Sequence, residues 1–129
     1  MSTRYRDGRG WEQQAGYSRA ARRGHRIAVS GTTASGPDGR ALHPGDVYGQ
    51  ARVALERSLE ALNALGGAPE DVLRTRLYLA PGADWEAASR AHADMLGEVA
   101  PANTTLHVAG LIGEGYLVEV ELEAELSPD

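Results

Sequence analysis

Carboxylates and guanidinium groups are the chemistry-bearing side chains that this sequence arranges in a pattern. Glu119, Glu121, Glu123 and Glu125 alternate with Val118, Val120, Leu122, Ala124 and Leu126 over the last strand-like run. Arg74 and Arg76 alternate with Leu73, Thr75 and Leu77 in an earlier one. A period of two puts each charged set on one face of a sheet. That face is either solvated or a subunit interface in which arginines meet glutamates, since an unpaired buried charge is costly. Arg19 stands two residues from Tyr17, hence on the same face if the segment is extended. The four histidines, His25, His43, His92 and His107, form neither an HExxH run nor an i, i+4 pair, so no metal site is expected. The absence of cysteine excludes disulfides, thiolate catalysis and Cys-type zinc sites. Neither a GxxxxGK phosphate cradle nor a GxSxG elbow occurs.

The elements that must position these groups read clearly. Residues 1–14 lack periodicity and carry many charges, which predicts a flexible N-terminal arm ahead of one domain over 15–129. Tyr17 to Ser30 predicts two short strands meeting at Gly24-His25, and Gly31 to Gly45 a loop or loose hairpin from its GPDG and HPGD turns. In the following helix Val47, Ala51, Ala54, Leu55, Ser58, Leu62 and Leu65 share one buried face. Asp46 caps its start and Gly66-Gly67 stop it. The run 72–80 is a strand with Leu73, Thr75, Leu77 and Leu79 facing one way. Asp84 caps a second helix that buries Trp85, Ala88, His92 and Met95 or Leu96 and stops at Gly97. Strands over Thr104–Ala109 and Tyr116–Leu126 close the chain. The order ββαβαββ implies an α+β fold, with both helices on one face of a mixed sheet.

The composition bounds the partners. A net charge of −5 argues against nucleic acid as a partner, because phosphate neutralisation needs a basic surface. All thirteen basic residues are arginine, and Arg4, Arg6, Arg9, Arg19, Arg22, Arg23 and Arg26 lie near the start, as a solvated arm or as an anion-binding patch. With no long apolar run and no apolar N-terminal segment, neither a membrane span nor a secretion signal is expected, and the chain reads as cytoplasmic.

Four stretches in order resemble the Rid (YjgF/RidA-type) family of reactive-intermediate deaminases. They are AGYSRAARRGHRIAVSGTTA (15–34), GDVYGQARVALERSLEALNALGGAPEDVLRTRLYL (45–79), PANTTLHVAGL (101–111) and LVEVELEA (117–124). The resemblance spans about residues 15 to 126. It implies a chorismate-mutase-like fold, a homotrimer, and ligand clefts between neighbouring subunits. In the family's deaminases those clefts hydrolyse imines or enamines such as 2-aminoacrylate to a keto acid and ammonia, with neither cofactor nor metal.

Carried over residue by residue, the resemblance makes Glu119 the carboxylate that holds or activates the attacking water; the alternative is one interface glutamate among four. Tyr17 matches the cleft tyrosine, and Ser30-Gly31 the strand end where backbone approaches the ligand. Thr105 stands where the family has cysteine or a small residue. At the position of the arginine that clamps the substrate carboxylate this chain has Asn103, which is neutral and cannot form a bidentate ion pair. Arg19 and Arg90 are the candidates for a replacement anion contact, and His107 lies on the same strand motif. These residues predict a small-molecule hydrolase acting on an imine, enamine or related intermediate other than 2-aminoacrylate. A non-catalytic ligand-binding or sensing trimer is the alternative. An endoribonuclease or translation inhibitor is disfavoured by the acidic balance.

Overall fold

The computed structural model of the chain describes residues 3–128; Met1 and Ser2 of the expected arm, and Asp129 at the end of the expected domain, lie outside the described residues. Among the described residues the chain forms strands β1 (Arg4–Tyr5), β2 (Ala20–Arg23), β3 (Arg26–Thr32), β4 (Val72–Leu79), β5 (Ala102–His107) and β6 (Val118–Glu125), with helices α1 (Gly10–Ala15), α2 (Val47–Ala64) and α3 (Trp85–Leu96). They make one mixed sheet in the order β1-β2-β3-β6-β4-β5. Only the β4–β5 pair is parallel, and α3 forms the crossover between these two strands. The α+β reading stands.

Helix α2 begins where expected, the Asp46 carboxylate accepting from the Gly49 N–H at 2.9 Å. It ends before Gly66, whose φ of 96° is open to glycine and strained for other residues. All seven positions assigned to its inner face are buried. Together α2 and α3 cover one face of the sheet. Leu55, Ala88 and Leu96 pack on Leu77, Leu79, Val118 and Val120, while Leu62 and Leu65 pack on Ile27, Val29 and Leu122. The opposite face carries Arg74, Arg76 and Tyr78 of β4 beside Glu119, Glu121 and Glu123 of β6.

Three expectations need correction. Residues 3–14 are not without regular structure: β1 pairs antiparallel with β2, and α1 follows. Hydropathy could not show this, because the fastening is polar. Buried Glu12 accepts the backbone N–H groups of Asp7, Gly8 and Arg19 at 3.1–3.3 Å. In β4, Leu73 is exposed and Val72 is buried, since a register shift against β6 between Val72 and Arg74 breaks the alternation. In α3, Trp85 is 55% exposed, and Ala87 and Ala91 fill the inner face instead. His92 and Met95 are only half-buried.

The bulge makes a simple expectation. Leu77→Ala opens a cavity in the core and lowers the unfolding free energy by about 2–5 kcal/mol, whereas Leu73→Ala changes it by about 0.5 kcal/mol or less. Urea unfolding of the two variants checks this; equal losses would put Leu73 in the core.

Candidate functional site

The segment before β2 and the end of β3 bring Tyr17, Arg19, Ser30 and Gly31 together. The Ser30 N–H donates to the Arg19 carbonyl at 2.9 Å, and the Ser30 hydroxyl to the Ser18 carbonyl at 2.7 Å. The Arg19 side chain turns back over the strand end. Its Nη2 donates to the carbonyls of Ser30 (3.2 Å) and Gly31 (2.6 Å) and to Thr32 Oγ1 (2.6 Å). Its guanidinium carbon lies 5.9 Å from the Tyr17 ring centre, within the range of a cation–π contact. Among the described residues Nε and Nη1 of Arg19 make no hydrogen bond, so that edge is left for an acceptor.

Glu119 reaches the same place from β6. Between Val29 and Thr32 the register of β3 slips by one residue against β6, a bulge at Ser30-Gly31. A Cβ on Gly31 would lie 2.2 Å from Glu119 Oε2, so the carboxylate occupies the space that any other residue would fill. At the start of β6, buried Gln50 accepts the Leu117 N–H at 2.9 Å and donates to the Gly115 carbonyl at 3.1 Å, which fixes the strand's entry. Burial holds the Glu119 pKa above the ordinary carboxylate range; Arg19 opposes this and Glu121 adds to it. The Glu119 carboxylate makes no hydrogen bond among the described residues. Its neighbours on β6 are paired: Glu121 accepts from the Tyr78 hydroxyl, and Glu123 from Arg76 Nη1 at 2.8 Å. The Arg76 hydrogen bond holds Glu123 below the ordinary range. Glu119 is thus unlike the rest of its row.

Asn103 and Thr105 lie elsewhere. In the parallel β4–β5 register they stand beside Thr75 and Leu77, on the helix-covered side, whereas Glu119 stands beside Tyr78 on the open side. They line an open groove of about 450 Å³ with Leu79, Trp85, Ser89, Leu106 and His107. His107 Nε2 is 2.9 Å from the Ala83 carbonyl and therefore carries its proton there. Two strand spacings, about 10 Å, and the sheet itself separate this groove from Glu119. One chain cannot bring the two groups to one reacting atom. Arg90 joins neither group: it lies 5.9 Å from the Tyr48 ring on α2.

Trp85 was assigned to the core and instead walls the groove. His92 and Thr75, also read as core, stand behind Asn103. The 3.6-residue period of α3 does carry Trp85, but a helix beside an edge strand has a half-open face that hydropathy does not distinguish from a core face. Among the described residues no cluster of three or more His, Asp or Glu is placed to hold a metal, and no helix is long and apolar enough to cross a membrane.

The family described as Endoribonuclease L-PSP, which is the YjgF/RidA/UK114 family, matches residues 10–126. The chain belongs to this family. An uncharacterized protein of Streptomyces coelicolor is 40% identical over 121 residues, 94% of this chain and 90% of the relative. The 3-aminoacrylate deaminase RutC of Acinetobacter baylyi is 29% identical over 106 residues, 82% of this chain and 83% of the relative. A crystal structure from Mycobacterium tuberculosis, a member of the YjgF/YER057c/UK114 family, superposes with a TM-score of 0.84 at 36% identity, covering 96% of this chain and 98% of the other. The match starts within α1, so part of the segment expected to be an arm belongs to the family domain.

Glu119 supplies a pH test. Its folded pKa lies above its unfolded value, so ionising it destabilises the fold, and the cost disappears as pH falls below the unfolded carboxylate range. Glu119→Gln is expected to raise the melting temperature between pH 7 and 8, with the gap closing below about pH 4. Melting curves across that range check it. A gap that does not vary with pH would mean that the Glu119 carboxylate is not raised.

Proposed function

We propose that this chain hydrolyses an imine, enamine or related reactive intermediate without a cofactor, in clefts completed between copies of itself, and that its substrate is not 2-aminoacrylate. The observation that carries the reading is Glu119: a carboxylate without a hydrogen-bond partner among the described residues, seated against the Gly31 backbone beside the free edge of Arg19, its pKa raised by burial. The similarity to RutC, a 3-aminoacrylate deaminase, supports the reaction class.

In this reading Glu119 takes a proton from water as the water oxygen adds to the C=N carbon. That proton goes to nitrogen, giving a carbinolamine; the carboxylate then carries the hydroxyl proton to nitrogen as the C–N bond breaks, and a carbonyl compound and ammonia leave. A raised carboxylate suits both steps, since it binds and releases a proton nearer to neutrality than an exposed one. Tyr17, Ser30 and Gly31 form the wall beside it, and the open edge of Arg19 donates to a neutral acceptor on the substrate. Asn103 and Thr105 orient the other end of the substrate from a neighbouring copy. The separation of the two groups on opposite faces of one sheet supports an assembly, and the family resemblance supports a homotrimer. Asn103 in place of the clamping arginine supports a changed substrate, because a buried carboxylate needs a compensating charge. The net charge of −5 weighs against RNA as the substrate.

Enzymatically generated 2-aminoacrylate and small neutral imines, followed by loss of imine absorbance, test the reading. Acceleration is expected for a neutral imine and little for 2-aminoacrylate. Glu119→Gln is expected to lose about 10²–10⁴-fold, and Asn103→Arg to gain activity on 2-aminoacrylate. An active Glu119→Gln would remove the base from the scheme. A strictly monomeric protein in sedimentation velocity would remove the shared cleft. Ligand binding without turnover of any imine would leave the chain a binding or sensing protein.

A further inference from the structure

Behind the groove, four side chains form one hydrogen-bonded line. The Thr105 hydroxyl donates to Asn103 Oδ1 at 3.0 Å, and Asn103 Nδ2 donates to Thr75 Oγ1 at 3.0 Å. Thr75 Oγ1 is 2.8 Å from His92 Nε2. Thr75 is fully buried, and as it accepts from Asn103 its own proton must find an acceptor. Among the described residues His92 Nε2 is the one within reach, so with the Asn103 amide in this orientation that nitrogen is unprotonated. Burial of His92 favours the neutral ring that this arrangement needs.

This line decides what Asn103 has left to offer. Its amide carries two N–H donors and two carbonyl lone pairs. Thr75 takes one donor and Thr105 fills one lone pair. One N–H and one lone pair remain on an exposed side chain that lines the groove, opposite the half-exposed Trp85.

We propose that the groove between α3 and β5 recognises a neutral carboxamide group, read by Asn103, with Thr75 and His92 as positioning residues. A carboxamide can use both vacant sites, accepting with its carbonyl oxygen and donating with its NH₂. A carboxylate has acceptors alone, so it would face the Asn103 lone pair with no proton between them. Among the described residues no arginine lines the groove to neutralise it. A site built to hydrogen-bond a donor rejects analogues that lack it, because its own polar group is then left unpaired. This inference rests on the cleft proposed above and names the group that its Asn103 end would bind.

Acetamide and acetate, nearly equal in size, separate the cases when each is titrated into the ¹⁵N-labelled protein near neutral pH. The readouts are the Asn103 side-chain NH₂ and Trp85 indole resonances. Acetamide is expected to shift both and acetate neither, with Asn103→Arg reversing the preference. Thr75→Val, which keeps the volume but removes the hydroxyl, is expected to weaken acetamide binding about threefold to tenfold, while Thr75→Ser retains it. Equal shifts with both compounds, or none with acetamide, would overturn the recognition. An unchanged preference in Thr75→Val would overturn the positioning role. The imine assay is independent: acetamide selectivity without turnover sinks only the hydrolase, and turnover with acetate preferred sinks only the carboxamide.

Discussion

Strand β6 is hydrogen-bonded along both edges, to β3 and to β4, so a slip of one residue would exchange every side chain it carries between the two faces of the sheet. That slip is strongly opposed. Val118, Val120, Leu122 and Ala124 lie buried under α2 and α3, and reversing the strand would bury four carboxylates in their place. The helix-facing row therefore dictates where the acidic row must be. Arg76 and Tyr78 of β4, in line with Glu121 and Glu119, reach diagonally to Glu123 and Glu121. Glu119 alone is turned toward the strand end of β3, where a bulge and a glycine make room for it. The placement of the candidate base thus follows from apolar packing on the other side of the sheet.

The same constraint explains why the candidate site does not close within one chain. β5 continues the sheet beyond β4 in parallel and in unbroken register with it. Asn103, in line with Thr75, falls on the helix side; Glu119, in line with Tyr78, falls on the open side. No rotamer crosses a sheet. Either the two groups serve different ligands, or a second copy supplies what the first lacks. The exposure of β5 along an outer edge leaves its groove accessible to such a neighbour.

Where burial alone decided the outcome, the sequence was legible. The inner face of α2, its cap at Asp46, and the alternation of β6 from Val118 to Glu125 follow from hydropathy period and local capping, while the expected last member, Leu126, lies just past the strand and is half-buried. Polar fastening and local irregularity were not legible. Glu12 stitches the N-terminal segment to the sheet by accepting three backbone N–H groups, a role that no periodicity encodes. The β4 bulge turned Leu73 outward, and a bulge changes the hydropathy pattern only by one displaced residue. Tyr17, Arg19, Ser30, Gly31 and Glu119 do meet, and that grouping was visible through the family resemblance rather than through composition. Trp85 and His92 were assigned by size and helical spacing to the core, although α3 flanks an edge strand and half of that face opens onto the groove.

His92 shows what such a misassignment conceals. A histidine on an apolar helix face is most simply read as filler, and its ring does pack there. Yet one of its nitrogens is 2.8 Å from the Thr75 hydroxyl, and that hydroxyl is held in turn by Asn103. A neutral asparagine at the edge of a sheet would rotate freely between two amide orientations that differ little in shape. Tied through Thr75 to the His92 ring, its orientation is coupled to which ring nitrogen carries the proton. The difference between an arginine and an asparagine at this position is then more than a lost charge. An arginine would present a fixed cation whatever lay behind it, whereas the donor and acceptor that Asn103 presents depend on two residues beneath it. A change in ligand at such a site needs the layer under it to change as well, and Thr75 with His92 is that layer.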